Sequence, residues 1–109
     1  MKYVDTKSIQ AFVNKIERKK RYKRDAGLVL RHLFEEVGEL SAALYRYESD
    51  SKFSQVLSMD RKDQVAKELC DVIFLAVYIA DILKIDINKA IPSAMKDVAK
   101  QYNVRHTFE

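Results

Sequence analysis

The chain has little with which to turn or to cross-link: two glycines, one proline and one cysteine in 109 residues. Scarce turn formers leave few places to reverse direction and favour a few long elements. Aromatic and β-branched residues recur at helical spacing rather than in alternation, so the long elements are read as helices. The lone Cys70 excludes an internal disulfide framework. Met1–Gln10 is polar and lacks the apolar central run of a signal peptide. Leu69–Leu83 is strongly apolar, but it falls short of the about 20 residues a bilayer needs, and Asp71 and Asp81 interrupt it. A soluble, cytoplasmic protein without membrane contact is expected.

Net charge is a modest +4, but its distribution is uneven. Lys15, Arg18, Lys19, Lys20, Arg21, Lys23 and Arg24 crowd one short stretch, whereas acidic residues gather at Glu35–Glu39 and Glu68–Asp71. One end of the molecule thus favours phosphates and another a cation. The length suits one domain spanning 1–109. A chain this short hides only roughly 60–65% of its unfolded surface, which makes a monomer marginal and association with further copies expected.

The spacing predicts four helices. The first starts near Asp5 or Thr6, either able to cap it, and carries Ile9, Phe12, Val13 and Ile16 on one stripe. The basic cluster falls at its C-terminal end, where the helix dipole favours cations. Asp25-Ala26-Gly27 reads as a break. The second helix runs from about Leu28 to Tyr47, with Leu30, Leu33, Phe34, Val37, Leu40 and Leu44 as its core face. Gly38 inside it costs roughly 1 kcal/mol relative to alanine, which points to a closely packed neighbour. Glu48–Ser58 is polar and serine-rich and reads as a loop anchored by Phe53, Val56 and Leu57.

Asp60 then caps a third helix, Arg61 to about Leu83. From Leu69 onward it is apolar on nearly every side, so it needs cover all round, and a second subunit is the natural source. Asp86 caps a fourth helix bearing Ile87, Ala90, Ile91, Ala94, Met95 and Val98. Pro92 either kinks that helix or marks the N1 position of its regular part. The expected fold is all-α, a four-helix antiparallel bundle assembled as a homodimer or homotetramer.

Two carboxylate pairs stand out. Glu36 and Glu39 on the second helix, and Glu68 and Asp71 on the third, are each spaced i, i+3, within about 60° of one another around the helix. Both pairs have apolar neighbours, and Asp71 lies between Leu69 and Val72-Ile73-Phe74-Leu75. An ionised carboxylate there is costly unless paired or bound to a metal. Two like-charged pairs facing each other repel and take up protons, a conflict that a hard divalent cation removes. Mg²⁺ prefers such oxygen ligands and fills its octahedron with water and substrate phosphates. Against this stands the common solvated acidic face, which suits Glu35, about 100° from Glu36.

Glu35-Glu36-Val37-Gly38-Glu39-Leu40, followed by Glu68-Leu69-Cys70-Asp71-Val72-Ile73-Phe74, resembles the EExxE…ExxD signature of MazG-type nucleoside triphosphate pyrophosphohydrolases, with 28 residues between the halves. The resemblance covers about Ile9 to Arg105, since Ile85-Asp86-Ile87 and Ala90-Ile91 look like the start of that family's last helix. It implies a MazG-like fold in which Glu36, Glu39, Glu68 and Asp71 ligate Mg²⁺, with Mn²⁺ as a substitute. The implied reaction is hydrolysis of a nucleoside triphosphate to the monophosphate and pyrophosphate. Glu35 or Glu39 is the expected proton acceptor for the attacking water. Lys96, Lys100, Asn103 and Arg105 are the phosphate-binding candidates from the last helix, where lysine and asparagine stand in place of the family's asparagine and arginine. A solvated basic face is their alternative reading.

Other residues fit plainer roles. His32 lies one turn before Glu36 but reads as a structural histidine, and Cys70 as a small packing residue with no cation to activate it. Phe74 and Tyr78, one turn apart, suit core packing better than stacking on a base. A rival reading is a nucleic-acid-binding helical module that uses the 15–24 cluster with Tyr22 interleaved. It leaves both carboxylate pairs unexplained, so a nucleic-acid partner is not expected. A non-catalytic dimerisation bundle explains the apolar third helix but not Asp71.

Overall fold

The computed structural model describes the backbone of residues 4–50 and 55–105 and the side chains of 4–49 and 60–105. Four helices fill it: α1 (Thr6–Lys20), α2 (Ala26–Asp50), α3 (Gln55–Ile82) and α4 (Ile87–Gln101), with no strand among the described residues. Asp5 caps α1 as expected, its carboxylate accepting from the Ser8 backbone amide at 2.8 Å. That bond holds the Asp5 carboxyl below the usual range. Asp25 does the same for α2, accepting from the amides of Gly27 (2.9 Å) and Leu28 (3.3 Å), so the expected break is a helix start.

The scarcity of glycine shows at the other ends. Arg21, Lys84 and Asn103 take the left-handed conformation (φ 55°, 58° and 52°). Beside them the amides of Tyr22, Ile85 and Val104 reach back to the carbonyls of Glu17, Ala80 and Ala99. This is the Schellman arrangement, closed here without glycine.

Two boundaries differ from expectation. Polar, serine-containing sequence weakens a helix only slightly, and α2 continues to Asp50 while α3 already begins at Gln55. Asp60 therefore lies inside α3 and does not cap it. Phe53 and the side chains of Val56 and Leu57, the expected loop anchors, lie outside the described residues. Asp86 sits at the N-cap of α4, but its side chain makes no capping bond, and Pro92 lies within the helix rather than at its first turn.

Helices α2 and α3 pack side by side, and this hairpin is the body of the fold. Packed helices that follow each other so closely in the chain, one ending at Asp50 and the next starting at Gln55, run antiparallel. Helix α1 packs across α3, and α4 touches α1, with the Thr6 hydroxyl against Asn88. Val13, Val29 and Tyr78 form the buried centre, with Ile9, Phe74, Leu75, Ile79 and Ile82 packed around them. Phe12 and Phe74 meet edge to face with centroids 5.6 Å apart.

A polar clamp closes this end. Arg24 donates to Glu17 (2.8 Å), to the Asp81 carboxylate (3.2 Å) and to the Asp81 carbonyl (3.1 Å). Partial burial works against the guanidinium's charge, but Asp81 and Glu17 outweigh it and raise the group's pKa. Burial, then the neighbouring Glu17 carboxylate, pushes the Tyr78 phenol up to about 12.

The four helices do not close into a bundle within one chain. The radius of gyration is 16.9 Å, against roughly 13 Å for a compact chain of this size. Helix α2 carries two apolar stripes, and the one buried against α3 contains Val29, Leu33, Leu40 and Ala43. Of the expected core face, Leu30, Phe34, Val37 and Leu44 are exposed instead, because α3 can cover only one stripe. Leu69 and Ile73 of α3 are exposed too. At 100° per residue, both sets fall on the side of the hairpin away from α1. Gly38 does not mark a close approach: a Cβ there would meet nothing within 4 Å among the described residues.

Candidate metal centre and adjoining cleft

Midway along the hairpin the antiparallel register sets Glu36 and Glu39 against Glu68. One carboxylate oxygen from each lies within 4.8 Å of the others. Their burial is graded: Glu36 and Glu68 are half-buried and Glu39 is exposed. One oxygen of Glu36 (Oε2) and one of Glu68 (Oε2) are buried with no hydrogen-bond partner among the described residues. Burial, followed by the Glu39, Glu68 and Asp71 carboxylates around it, raises the Glu36 pKa. Apolar flanks on both helices impose this crowding, since Leu33 and Leu40 fix the face of α2 that turns toward α3.

The donor set is all carboxylate oxygen, which suits a hard divalent ion such as Mg²⁺ or Mn²⁺ and not a thiophilic one. Two orphaned buried oxygens and a carboxyl driven toward protonation describe a centre that a cation would satisfy. The residues present therefore fit a resident divalent metal.

The expected ligands are not all equivalent. Asp71 stands near Glu36, but its Oδ2 is taken by Lys67 Nζ at 2.5 Å, one turn earlier on α3. Glu35 is exposed and outside the three-carboxylate group. Lys96, Lys100, Asn103 and Arg105 do come together, but they line a separate hollow of about 370 Å³ at the end of α4. None of them lines the cleft beside the carboxylates.

That cleft, about 570 Å³, lies between α1 and the hairpin. Glu36 and Asp71 form its acidic end, while Phe12, Val13, Ile16, Phe74, Leu75 and Tyr78 supply its apolar wall. His32, Lys67, Tyr22 and Lys23 complete it. Several of these were readable only as something else. His32 is no bystander: its Nε2 is 3.3 Å from Glu36 Oε1. Phe12 and Ile16 follow the core stripe of α1, yet α1 holds them partly open over the cleft. The one available signal for Lys67 was its i, i+4 spacing to Asp71.

Fold and site together define a class: an all-helical domain with a carboxylate centre set between two antiparallel helices and opening on a partly apolar cleft. The chain belongs to the MazG nucleotide pyrophosphohydrolase domain family, whose model matches residues 25–107. No curated protein and no solved structure matches it. The matched region includes all four expected ligands but not α1, which walls the cleft. Among the described residues no helix is long and apolar enough to cross a membrane.

Proposed function

We propose that the protein hydrolyses nucleoside triphosphates to the monophosphate and pyrophosphate, using Mg²⁺ (or Mn²⁺) held by Glu36, Glu39 and Glu68, with Asp71 joining them. The observation that carries this reading is the convergence of three carboxylates, two with orphaned buried oxygens, one of which, Glu36, lines a partly aromatic cleft. A metal bound there supplies charge neutralisation for the phosphate chain and a water of lowered pKa.

The chain's own residues do the rest. Glu39, the exposed member of the three, accepts the proton of the attacking water in preference to Glu35, which is not one of the converging carboxylates. The apolar wall that includes Phe12 and Phe74 receives the nucleoside and excludes water from that side. His32 and Lys23 lie along the same cleft, positioned for the phosphate chain. Lys96, Lys100, Asn103 and Arg105 contribute phosphate contacts only where another copy brings α4 to the cleft.

A homodimer or homotetramer is part of the reading, because Leu30, Phe34, Val37, Leu44, Leu69 and Ile73 leave one side of the hairpin without cover. So is a cytoplasmic site of action, where nucleoside triphosphates are held. The nucleic-acid module loses ground, since Arg24 of the basic cluster is occupied by Glu17 and Asp81.

The test is to incubate the protein with a panel of nucleoside triphosphates, with and without Mg²⁺, and to separate the products. Monophosphate and pyrophosphate appearing only with metal are expected, and lost in Glu39→Gln, which keeps the fold. Release of orthophosphate, or no turnover with either Mg²⁺ or Mn²⁺, refutes the reading.

A further inference from the structure

Three of the four carboxylates that the motif brings to this centre converge, and the fourth does not. Asp71 has a partner on its own helix instead: Lys67 Nζ sits 2.5 Å from Asp71 Oδ2. The rest of the Lys67 side chain is largely solvent-exposed, so this pair is its tether. Lys67 and Asp71 both line the cleft, beside Glu36 and Phe74.

We propose that Lys67 is a phosphate-binding residue which the metal-free protein holds on Asp71, and which passes to the substrate's phosphates when they arrive, releasing Asp71 to the metal centre. The inference rests on the functional reading above and deepens it. A lysine suits this role because its ammonium is a compact charge on a four-carbon stem and can move between acceptors by side-chain rotation alone. Without a metal it supplies the positive charge that Asp71 otherwise lacks. A cation at Glu36, Glu39 and Glu68 competes with it for Asp71 and repels it. A phosphate in the cleft offers it another anionic acceptor with strong charge-assisted bonds. Cation and phosphate therefore reinforce each other's binding through one side chain, and the pair Lys67–Asp71 is the element they both displace.

The test uses the full chain and two calorimetric titrations: Mn²⁺ alone, and inorganic pyrophosphate at saturating Mg²⁺. Lys67→Met is expected to bind Mn²⁺ more tightly, by about fivefold, the upper end for an exposed lysine–carboxylate pair. The same variant binds pyrophosphate about tenfold more weakly, having lost a charge-assisted contact. The opposite signs are the signature, since a merely structural lysine would weaken both. Lys23→Met, which removes a positive charge elsewhere in the cleft, changes Mn²⁺ affinity less than twofold. The proposal is overturned if Lys67→Met leaves either affinity unchanged, lowers both, or is matched in its Mn²⁺ gain by Lys23→Met. Wild-type protein that binds no Mn²⁺ overturns the metal reading itself, and this inference with it.

Discussion

Replacing Glu36 with glutamine should stabilise the metal-free protein while removing its response to metal. Glu36 is the most constrained carboxylate of the centre, half-buried, with oxygens of Glu39 and Glu68 within 4.8 Å and Asp71 nearby. Two unit charges at that distance repel by about 3.5 kcal/mol at an effective dielectric of 20. Exposure of Glu39 screens part of this, and partial protonation of Glu36 relieves more, so a gain of about 1–2 kcal/mol is expected on neutralising it. For a domain of this size that is a rise in Tm of roughly 4–15 °C in EDTA. Glutamine keeps the shape and retains a hydrogen-bond acceptor for His32, so little packing is lost.

With Mn²⁺ a hundredfold above its Kd, the wild type gains about 2.7 kcal/mol, whereas the variant gains little. Thermal melts followed by circular dichroism, each with EDTA and with Mn²⁺, read both quantities. The pH dependence has a definite sign as well. The folded Glu36 pKa lies above its unfolded value, so this group's contribution is present at low pH and lost as pH rises through the folded pKa. The wild-type deficit relative to Glu36→Gln therefore shrinks on acidification toward the carboxylate range. A variant less stable than wild type in EDTA, and equally responsive to Mn²⁺, would refute the crowded-carboxylate reasoning.

Three other perturbations probe the frame around the centre. Arg24→Ala leaves the largely buried Glu17 and Asp81 carboxylates without their shared cation and should cost about 2–3 kcal/mol in denaturant unfolding, below the value for a fully buried pair because Arg24 is 40% exposed. Tyr78 is held neutral by the fold, its pKa moved from 10.0 to about 12, so roughly 3 kcal/mol of stability present below pH 10 is lost as pH rises through about 12. Tyr78→Phe should flatten that alkaline loss; an unchanged profile would count against the burial of the phenol. Gly38→Ala should stabilise by about 0.5–1 kcal/mol, since an added Cβ meets nothing within 4 Å among the described residues. A loss of stability accompanied by a smaller assembly in light scattering would instead place a neighbouring copy against that face.

How much of this was legible beforehand differs from element to element. The two carboxylate pairs could be read because helical geometry alone places residues three apart on one face, and apolar neighbours make such a pair costly without a counter-ion. The Asp5 cap and all-helical class were readable for the same local reason. The limits of α2 and α3 were not: Ser49 and Asp50 weaken a helix by a few tenths of a kcal/mol each, which a long hairpin overrides.

Which stripe of α2 is inside could not be chosen from periodicity. Leu30, Phe34, Val37 and Leu44 are as apolar as Val29, Leu33, Leu40 and Ala43, and only the pairing with α3 separates them. Placement of the basic residues was also beyond reach. Lys96, Lys100, Asn103 and Arg105 occupy their own hollow because α4 leans on α1 and not along the hairpin. Lys67 and His32 come to the carboxylates instead.

The sequence by itself thus determined the chemistry available, four carboxylates at a spacing that one helix face can present, because that depends only on the pitch of the helix. The tertiary structure alone decided which of them converge, which cation stands beside them, and that α1 forms the wall of the cleft. Those outcomes depend on how helices distant in the chain are set against one another, and no local period encodes that arrangement.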